Sequence, residues 1–334
     1  ACIAGGAAGV VLDSQLALLR ESSVPEDVRR AVARMDGTET VTLAGFRLFD
    51  RPDLGVAGRF ADAEPSEIAG RLGGDDLTEQ LLPVGQDGVI ADELADRFGT
   101  AAEVVAALEA QIDDGIRQAR KSRPLARGSA LAQDIGTEYP ILQGPMTRVS
   151  DPAAFAEAVA RGGALPFLAL SLLRGERLSS LLRETKETLG ERPWGAGVLG
   201  FAPAEIRTEQ LEAVLEAAPP FVLIAGGRPS QARAFEREGI KAFLHVPSEG
   251  LLDLFLEEGA TRFIFEGREC GGHVGPLSSL VLWDRQVRRL LQHERPEELS
   301  VVFAGGIHDA RSAAMISSLA APLAARGVKV GVLM

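Results

Sequence analysis

The sequence predicts an α/β protein: a (β/α)8 TIM barrel carrying an N-terminal α+β extension. The first observation is a set of eight short apolar runs bounded by Gly or Pro, at 139–142, 165–170, 195–199, 221–225, 242–246, 262–265, 301–304 and 328–333. The second is that these runs are continuous rather than alternating, as expected of strands buried on both faces of a parallel sheet. The third is the amphipathic stretch that follows most of them, for example at 152–161, 178–189, 205–217, 230–238, 249–258 and 310–325. Eight strands alternating with helices close a barrel more readily than they build an open sheet. A doubly wound sheet of six or seven strands is the alternative if one run is not a strand.

The elements before the barrel are less regular. Residues 4–12, Ala-Gly-Gly-Ala-Ala-Gly-Val-Val-Leu, read as a helix end running into a buried strand, and they faintly echo the closing Gly-Val-Lys-Val-Gly-Val-Leu-Met. Residues 1–20 are therefore either the tail of a preceding barrel-like domain or a chance likeness between two Ala/Gly/Val-rich segments. Residues 21–125 form a helix-rich acidic connecting region, helical at 26–35 and 91–119, with a short β pair over 38–49 around Ala44-Gly45. The basic, helix-breaking stretch Lys121-Ser122-Arg123-Pro124-Leu125-Ala126-Arg127-Gly128-Ser129 marks the boundary. The barrel then occupies 126–334 and stops after its eighth strand. A start at Ala1 and an end inside an apolar run at Met334 read as a segment cut from a longer polypeptide.

Composition narrows the function classes. The 334 residues carry a net charge of −12, with 46% hydrophobic and 25% charged residues, the profile of a globular protein. Residues 1–125 hold 13 Lys/Arg against 22 Asp/Glu, so most of the acidity lies there. That balance argues against nucleic-acid binding, which needs Lys and Arg to neutralise phosphates. No apolar run approaches the ~18 residues of a membrane span, and no signal-peptide pattern is present. Cys2 and Cys270 build neither a disulfide framework nor a metal-ligand spacing, so no metal site is expected. A reducing, cytoplasmic location suits them.

Barrel enzymes place their sites at the C-terminal ends of the strands. The first strand ends in Gln143-Gly144-Pro145-Met146, a stiff turn that can turn backbone groups toward the mouth and lay a flat ring against Met146, or be a simple strand-to-helix turn. The fourth ends in Ala225-Gly226-Gly227-Arg228-Pro229, a ligand-facing loop or a turn closed by proline. His245 ends the fifth and points into the mouth or into the wall. The sixth runs into Glu266-Gly267-Arg268-Glu269-Cys270-Gly271-Gly272-His273-Val274-Gly275, where glycines permit close approach of a ligand and His273 can act as acid or base. Cys270 reads as a packing residue rather than a nucleophile. The seventh ends in Gly305-Gly306-Ile307-His308-Asp309 ahead of a helix, a place where free N–H groups meet a phosphate. His308 touches that anion, or caps the helix and faces solvent. His293 reads as inert on a helix surface. No hydrolytic triad, Schiff-base lysine, Walker loop or Rossmann turn is present. The difficult chemistry then belongs to a bound cofactor that carries a phosphate.

Taken in order, Pro140-Ile141-Leu142-Gln143-Gly144-Pro145-Met146, Arg161-Gly162-Gly163-Ala164, Glu269-Cys270-Gly271-Gly272-His273-Val274-Gly275 and Ala304-Gly305-Gly306-Ile307 resemble the nitronate monooxygenase family, formerly called 2-nitropropane dioxygenases. The likeness covers nearly all of 135–334. It implies a barrel that binds FMN non-covalently, in a family that also includes FMN-dependent enoyl reductases and similar barrels embedded in polyketide and polyunsaturated-fatty-acid synthases. The long N-terminal extension looks most like those embedded versions. By this resemblance the backbone around Gln143 and Met146, with Gly144 and Pro145 between them, would contact the isoalloxazine. Gly271 and Gly272 would pass close to the cofactor, with His245 and Glu266 counted among its contacts. Gly305 and Gly306 would hold its phosphate, and His273 would be the catalytic acid/base.

Two chemistries follow from the resemblance: oxidation of a small nitronate, or NAD(P)H-driven reduction of an enoyl thioester, free or bound to a carrier protein, with other synthase domains as partners. A non-catalytic scaffold barrel in a synthase is a third reading, against which the glycine-rich His273 loop stands. The chain departs from the family pattern where Cys270 replaces the usual alanine and Gly200-Phe201 a common asparagine. The Gly-Thr pair expected after strand eight would fall beyond Met334.

Overall fold

A computed structural model describes residues 1–272 and 274–334. They form two compact units, one of Ala7–Asp114 and one of Ala1–Gly6 with Gly115–Met334. The division falls inside the long helix Ala101–Ser122. Among the described residues no helix is long and apolar enough to cross a membrane.

In the unit Ala7–Asp114, β1 (Thr40–Leu43) pairs antiparallel with β2 (Phe46–Phe49). Ala44 and Gly45 both take positive φ, 48° and 87°, the twist that a two-residue hairpin requires. Helix Glu26–Val32 lays Val28, Ala31 and Val32 against Phe49, Val84 and Ala91 to make a small core. The Arg29 guanidinium donates to the Leu18 carbonyl at 2.6 Å and ties the preceding segment to this helix. The helical stretch expected over 91–119 is two helices, Ala91–Phe98 and Ala101–Ser122. Gly99 breaks it at φ 63°. Thr100 and Glu103 then start the second helix with reciprocal side-chain caps, Thr100 N–H to Glu103 Oε2 at 3.1 Å and Glu103 N–H to Thr100 Oγ1 at 3.3 Å. Residues 4–12 correct the sequence expectation: they hold turns and irregular backbone with no strand, and Val10 and Val11 are exposed. Gly5 abuts the Met315 side chain, but Val10 and Val11 find no cover among the described residues, so the apolar run has no strand to pair with and no reason to extend into a sheet.

The second unit is the barrel. Its strands are β3 (Ile141–Gln143), β4 (Leu165–Ala169), β5 (Gly195–Leu199), β6 (Phe221–Ala225), β7 (Lys241–His245), β8 (Arg262–Glu266), β9 (Ser300–Ala304) and β10 (Lys329–Leu333). All pair in parallel and in sequence order, and β10 returns to β3 to close the ring. The closure is completed beyond the last strand residues, where Met334 N–H donates to the Leu142 carbonyl and Gly144 N–H to the Met334 carbonyl, each at 2.9 Å.

Alternate strand residues divide between two cores. Leu142, Leu165, Phe167, Leu223, Phe243, Ile264 and Val302 fill the interior, while Ala196, Val222, Leu244, Phe265, Val301 and Phe303 face the surrounding helices. Helix Ala130–Ile135 closes the N-terminal end, adding Leu131 and Ile135 to the interior cluster. Asp134 there receives Lys241 and Lys329, the first residues of β7 and β10, at 3.1 and 3.7 Å. With one end plugged, the mouth at the C-terminal ends is the open face. Helix Ser279–Leu290, which the sequence reading did not single out, packs outside β8.

Candidate active site at the barrel mouth

The C-terminal strand ends surround a cavity of about 540 Å³, within the range of small-molecule sites. Gly144, Pro145 and Met146 line it after β3, and His245 and Glu266 at the ends of β7 and β8. Gly271 and Gly272 follow from the β8 loop, and Gly305 and Gly306 from the β9 loop. Gln143 does not line it. Its amide is committed inside the barrel, accepting the Phe167 N–H at 3.2 Å and donating to the Gly144 carbonyl. Its side chain thereby pins β3 to β4. His273, the expected acid/base, lies outside the described residues.

Local sequence explains each wall. After β3, a Cβ on Gly144 would come 2.9 Å from Leu333, and one on Gly197 in β5 would overlap Pro145, so both glycines let this turn seat against the strand ends. Met146 remains half exposed over the opening, its N–H held by Ser150 Oγ at 2.7 Å. On the β8 loop, a Cβ on Gly267 would overlap Ser279, which brings helix Ser279–Leu290 close. Among the described residues, Gly271 and Gly272 meet nothing within 4 Å where a Cβ would stand, and Gly272 has φ 87°. These two leave open space beside the cavity.

The loop after β9 has Gly305 at φ 120° and Gly306 at φ 71°. The N–H groups of Gly305, Gly306 and Ile307 donate to no described residue. Successive free amides of this kind make an anion-binding concavity. The helix contribution is weaker than the sequence suggested, because Asp309 already caps helix Ala310–Ala325 by accepting the Ser312 N–H at 2.8 Å. His308 is exposed, with Nδ1 3.1 Å from the Gly306 carbonyl, and is not part of the cavity wall. The β6 loop is the turn of the two readings: Ala225 lines the cavity, while Gly227 and Gly226 pack against Gly200 and the Phe201 ring. His293 falls just past the end of helix Ser279–Leu290, not on it.

Electrostatics are dominated by carboxylates. Glu266 and Glu269 line the cavity and no Lys or Arg does so among the described residues. Burial works against ionisation of Glu269, but hydrogen bonds from Ser279, whose N–H donates to Oε2 at 2.6 Å, hold its carboxyl below the usual range. Burial, reinforced by Glu266 and Glu269, pushes the Cys270 thiol up to about 12. Cys270 is therefore a neutral thiol near pH 7 and a poor nucleophile. His245 Nδ1 and Glu266 Oε2 meet at 2.7 Å, with side chains only 11% and 6% exposed. That approach is not an aligned hydrogen bond: both His245 ring nitrogens and Glu266 Oε2 are buried without a partner among the described residues.

The sequence reading missed several residues. Thr147 and Ser171 line the mouth with their hydroxyls in mutual contact, and Ser171 holds φ 45°, an unusual backbone for a non-glycine residue. Val198 and Leu199 at the end of β5 add apolar wall. Nothing periodic marks Thr147 or Ser171; only their positions just past two strand ends could have suggested them.

No family model matches the chain. Among curated proteins it is 29% identical over 212 residues to a (3aS,4S,5R,7aS)-5-hydroxy-7a-methyl-1-oxo-octahydro-1H-indene-4-carboxyl-CoA dehydrogenase of Rhodococcus jostii (strain RHA1), covering 61% of this chain and 54% of that protein. It is 27% identical over 219 residues to a nitronate monooxygenase of Pseudomonas aeruginosa, covering 53% and 61%. A nitronate monooxygenase of Paraburkholderia phytofirmans gives 27% over 240 residues, covering 59% and 64%. The chain thus spans between about half and two thirds of the length of these relatives. Among solved structures, a point mutant of FabK from Thermotoga maritima aligns with TM-score 0.50 and 25% identity, over 61% of this chain and 63% of that one. A nitroalkane oxidase from Streptomyces ansochromogenes shares the fold, with TM-score 0.50, 19% identity and 61% and 67% coverage. The resemblance to nitronate monooxygenases written in the strand ends is thus met again in sequence similarity over 53% and 59% of the chain, on a (β/α)8 barrel.

Proposed function

We propose that this chain is the FMN-binding barrel of a flavin-dependent oxidoreductase related to nitronate monooxygenases. One observation carries the reading: a single cavity at the open barrel mouth gathers the free amides of Gly305 and Gly306, the open flank of Gly271 and Gly272, and the apolar surfaces of Met146, Val198 and Leu199. These residues fit a flat ring with a phosphate tail. The amides of Gly305, Gly306 and Ile307 would hold the phosphate without help from a cationic side chain. When bound, FMN supplies reversible two-electron chemistry. The chain's part is to bind, to exclude water through its apolar wall, and to move protons. His273 would serve as acid/base at the substrate, and Cys270, being neutral, stays out of the chemistry.

Between the two substrate classes, a thioester fits better than a small nitronate. Met146, Val149, Leu172, Phe201 and Val274 expose apolar side chains on the loops after β3, β4, β5 and β8. A rim of that kind suits a substrate with a sizeable apolar body. The name of the Rhodococcus relative, a carboxyl-CoA dehydrogenase, points to the same class. Anaerobic mixing of the FMN-loaded protein decides: bleaching by NADPH followed by recovery with an enoyl thioester supports the reductase. Bleaching by a nitronate alone supports the monooxygenase, and no response to either leaves the scaffold.

A further inference from the structure

The turn after β4 carries a serine where its geometry calls for glycine. Leu173 N–H donates to the Leu170 carbonyl at 2.8 Å, which closes a four-residue turn with Ser171 and Leu172 at its centre. Of these two, only Ser171 has a positive φ, 45°. Positive φ at the first central residue alone marks a turn of the II′ kind, a backbone that glycine adopts freely and a residue with a side chain does not. An outer helix holds the serine there. Gln210, 2% exposed on helix Ala204–Ala217, donates from Nε2 to the Ser171 carbonyl at 2.9 Å and to the Leu173 carbonyl at 3.1 Å. What the side chain gains is a place in the cavity: the Ser171 hydroxyl meets the Thr147 hydroxyl from the loop after β3, and both residues line the mouth. Backbone strain of this sort clusters where function uses the side chain.

Resting on the thioester reading above, we propose that the Thr147–Ser171 hydroxyl pair holds the carbonyl oxygen of the substrate. Two hydroxyls carry two protons and their mutual bond uses one, so the other is free for an acceptor in the cavity. The mutual bond also polarises the hydroxyl that donates outward. Location selects the acceptor. In the closed strand order β3 and β4 lie half-way round the ring from β7 and β8, so the hydroxyls stand across the mouth from His245 and Glu266. Glu266 and Glu269 repel electron-rich oxygen on their own side, and no Lys or Arg lines the cavity among the described residues. His245 lies against Glu266, and the Cys270 thiol is a weak donor. The hydroxyl pair is the neutral donor placed away from the carboxylates, and it suits a neutral carbonyl; an anion would need a positive charge that this wall lacks.

The FMN-loaded full chain is titrated calorimetrically with butyryl-CoA, a saturated thioester that offers no double bond to reduce, and with S-butyl-CoA, the thioether that lacks the carbonyl. The wild type is expected to bind the thioester about five- to tenfold more tightly, the size of one net hydrogen bond. The double variant Thr147→Val/Ser171→Ala removes both hydroxyls and keeps both Cβ atoms, so the two ligands should bind within about twofold of each other. Ser171→Gly relaxes the turn and should unfold at a higher urea concentration than the wild type, yet with a weakened preference for the thioester; a purely structural serine would show the first effect without the second. Equal binding of the two ligands by the flavin-loaded wild type overturns the inference while leaving the FMN reading intact. A preference unchanged in the double variant also overturns it, because the carbonyl then meets another group. Binding of neither ligand overturns it together with the thioester reading, and failure to take up FMN overturns the flavin reading as well.

Discussion

Cys270 provides a quantitative test of the cavity's electrostatics. Its thiol lines the wall, so a small reagent in the cavity reaches it. Burial, then the charges of Glu266 and Glu269, raise it to about 12. At pH 8 an ordinary thiol is roughly 10–25% thiolate, whereas Cys270 would be on the order of 0.01–0.1% thiolate. Only the thiolate alkylates, so iodoacetamide should modify Cys270 about 100- to 1000-fold more slowly than the same cysteine in the urea-unfolded chain. The rate should climb about tenfold per pH unit and show no plateau below pH 10. A Cys2→Ser background leaves Cys270 as the sole cysteine, and mass spectrometry follows the modification. Because burial is the largest cause, Glu269→Gln should lower the midpoint while leaving it above the ordinary range. The sign for stability follows: the folded thiol keeps its proton after the unfolded one has lost it. Its contribution is full below the unfolded value and fades as pH rises toward the folded one. A rate plateau between pH 8 and 9 would refute a desolvated, carboxylate-lined wall.

Three further outcomes are expected. Gly305→Ala places a Cβ on Ser279 Oγ at a backbone of φ 120°; it should destabilise the fold by about 1–3 kcal/mol in urea titration. Asp309→Asn keeps an equally good helix cap while removing a negative charge beside the free amides of the β9 loop. Its stability should be unchanged and its FMN affinity several-fold tighter, with riboflavin affinity unaltered. Ala218 ends helix Ala204–Ala217 in the left-handed region at φ 50°, so Ala218→Gly should raise stability by about 1 kcal/mol in thermal or chemical unfolding.

The barrel was legible because its strands are buried on both faces. Runs such as Phe221-Val222-Leu223-Ile224-Ala225 show without ambiguity, and the strand ends agree within one or two residues. The hairpin around Ala44-Gly45 was legible from its turn. Gly99 hid inside the pattern over 91–119, since one glycine in a helical stretch is often tolerated. Residues 4–12 misled because a small-residue apolar run carries no record of whether anything packs on it. At the site, glycines signalled the loops but not their tasks: Gly267 makes room for Ser279, whereas Gly271 faces open space. The motif around Gln143 carried no sign that its amide turns inward to Phe167. The closeness of His245 and Glu266 depends on the pairing of β7 with β8, which sequence adjacency cannot show.

The central claim is that the mouth cavity holds FMN. Adding FMN to the full chain and recording visible absorption and fluorescence tests it most directly, with Gly271→Trp as the control that fills the open flank. The account predicts one equivalent bound with quenched fluorescence and a resolved, shifted flavin band in the wild type, and loss of both in Gly271→Trp. A spectrum identical to free FMN at every ratio, or binding that Gly271→Trp leaves untouched, would contradict it.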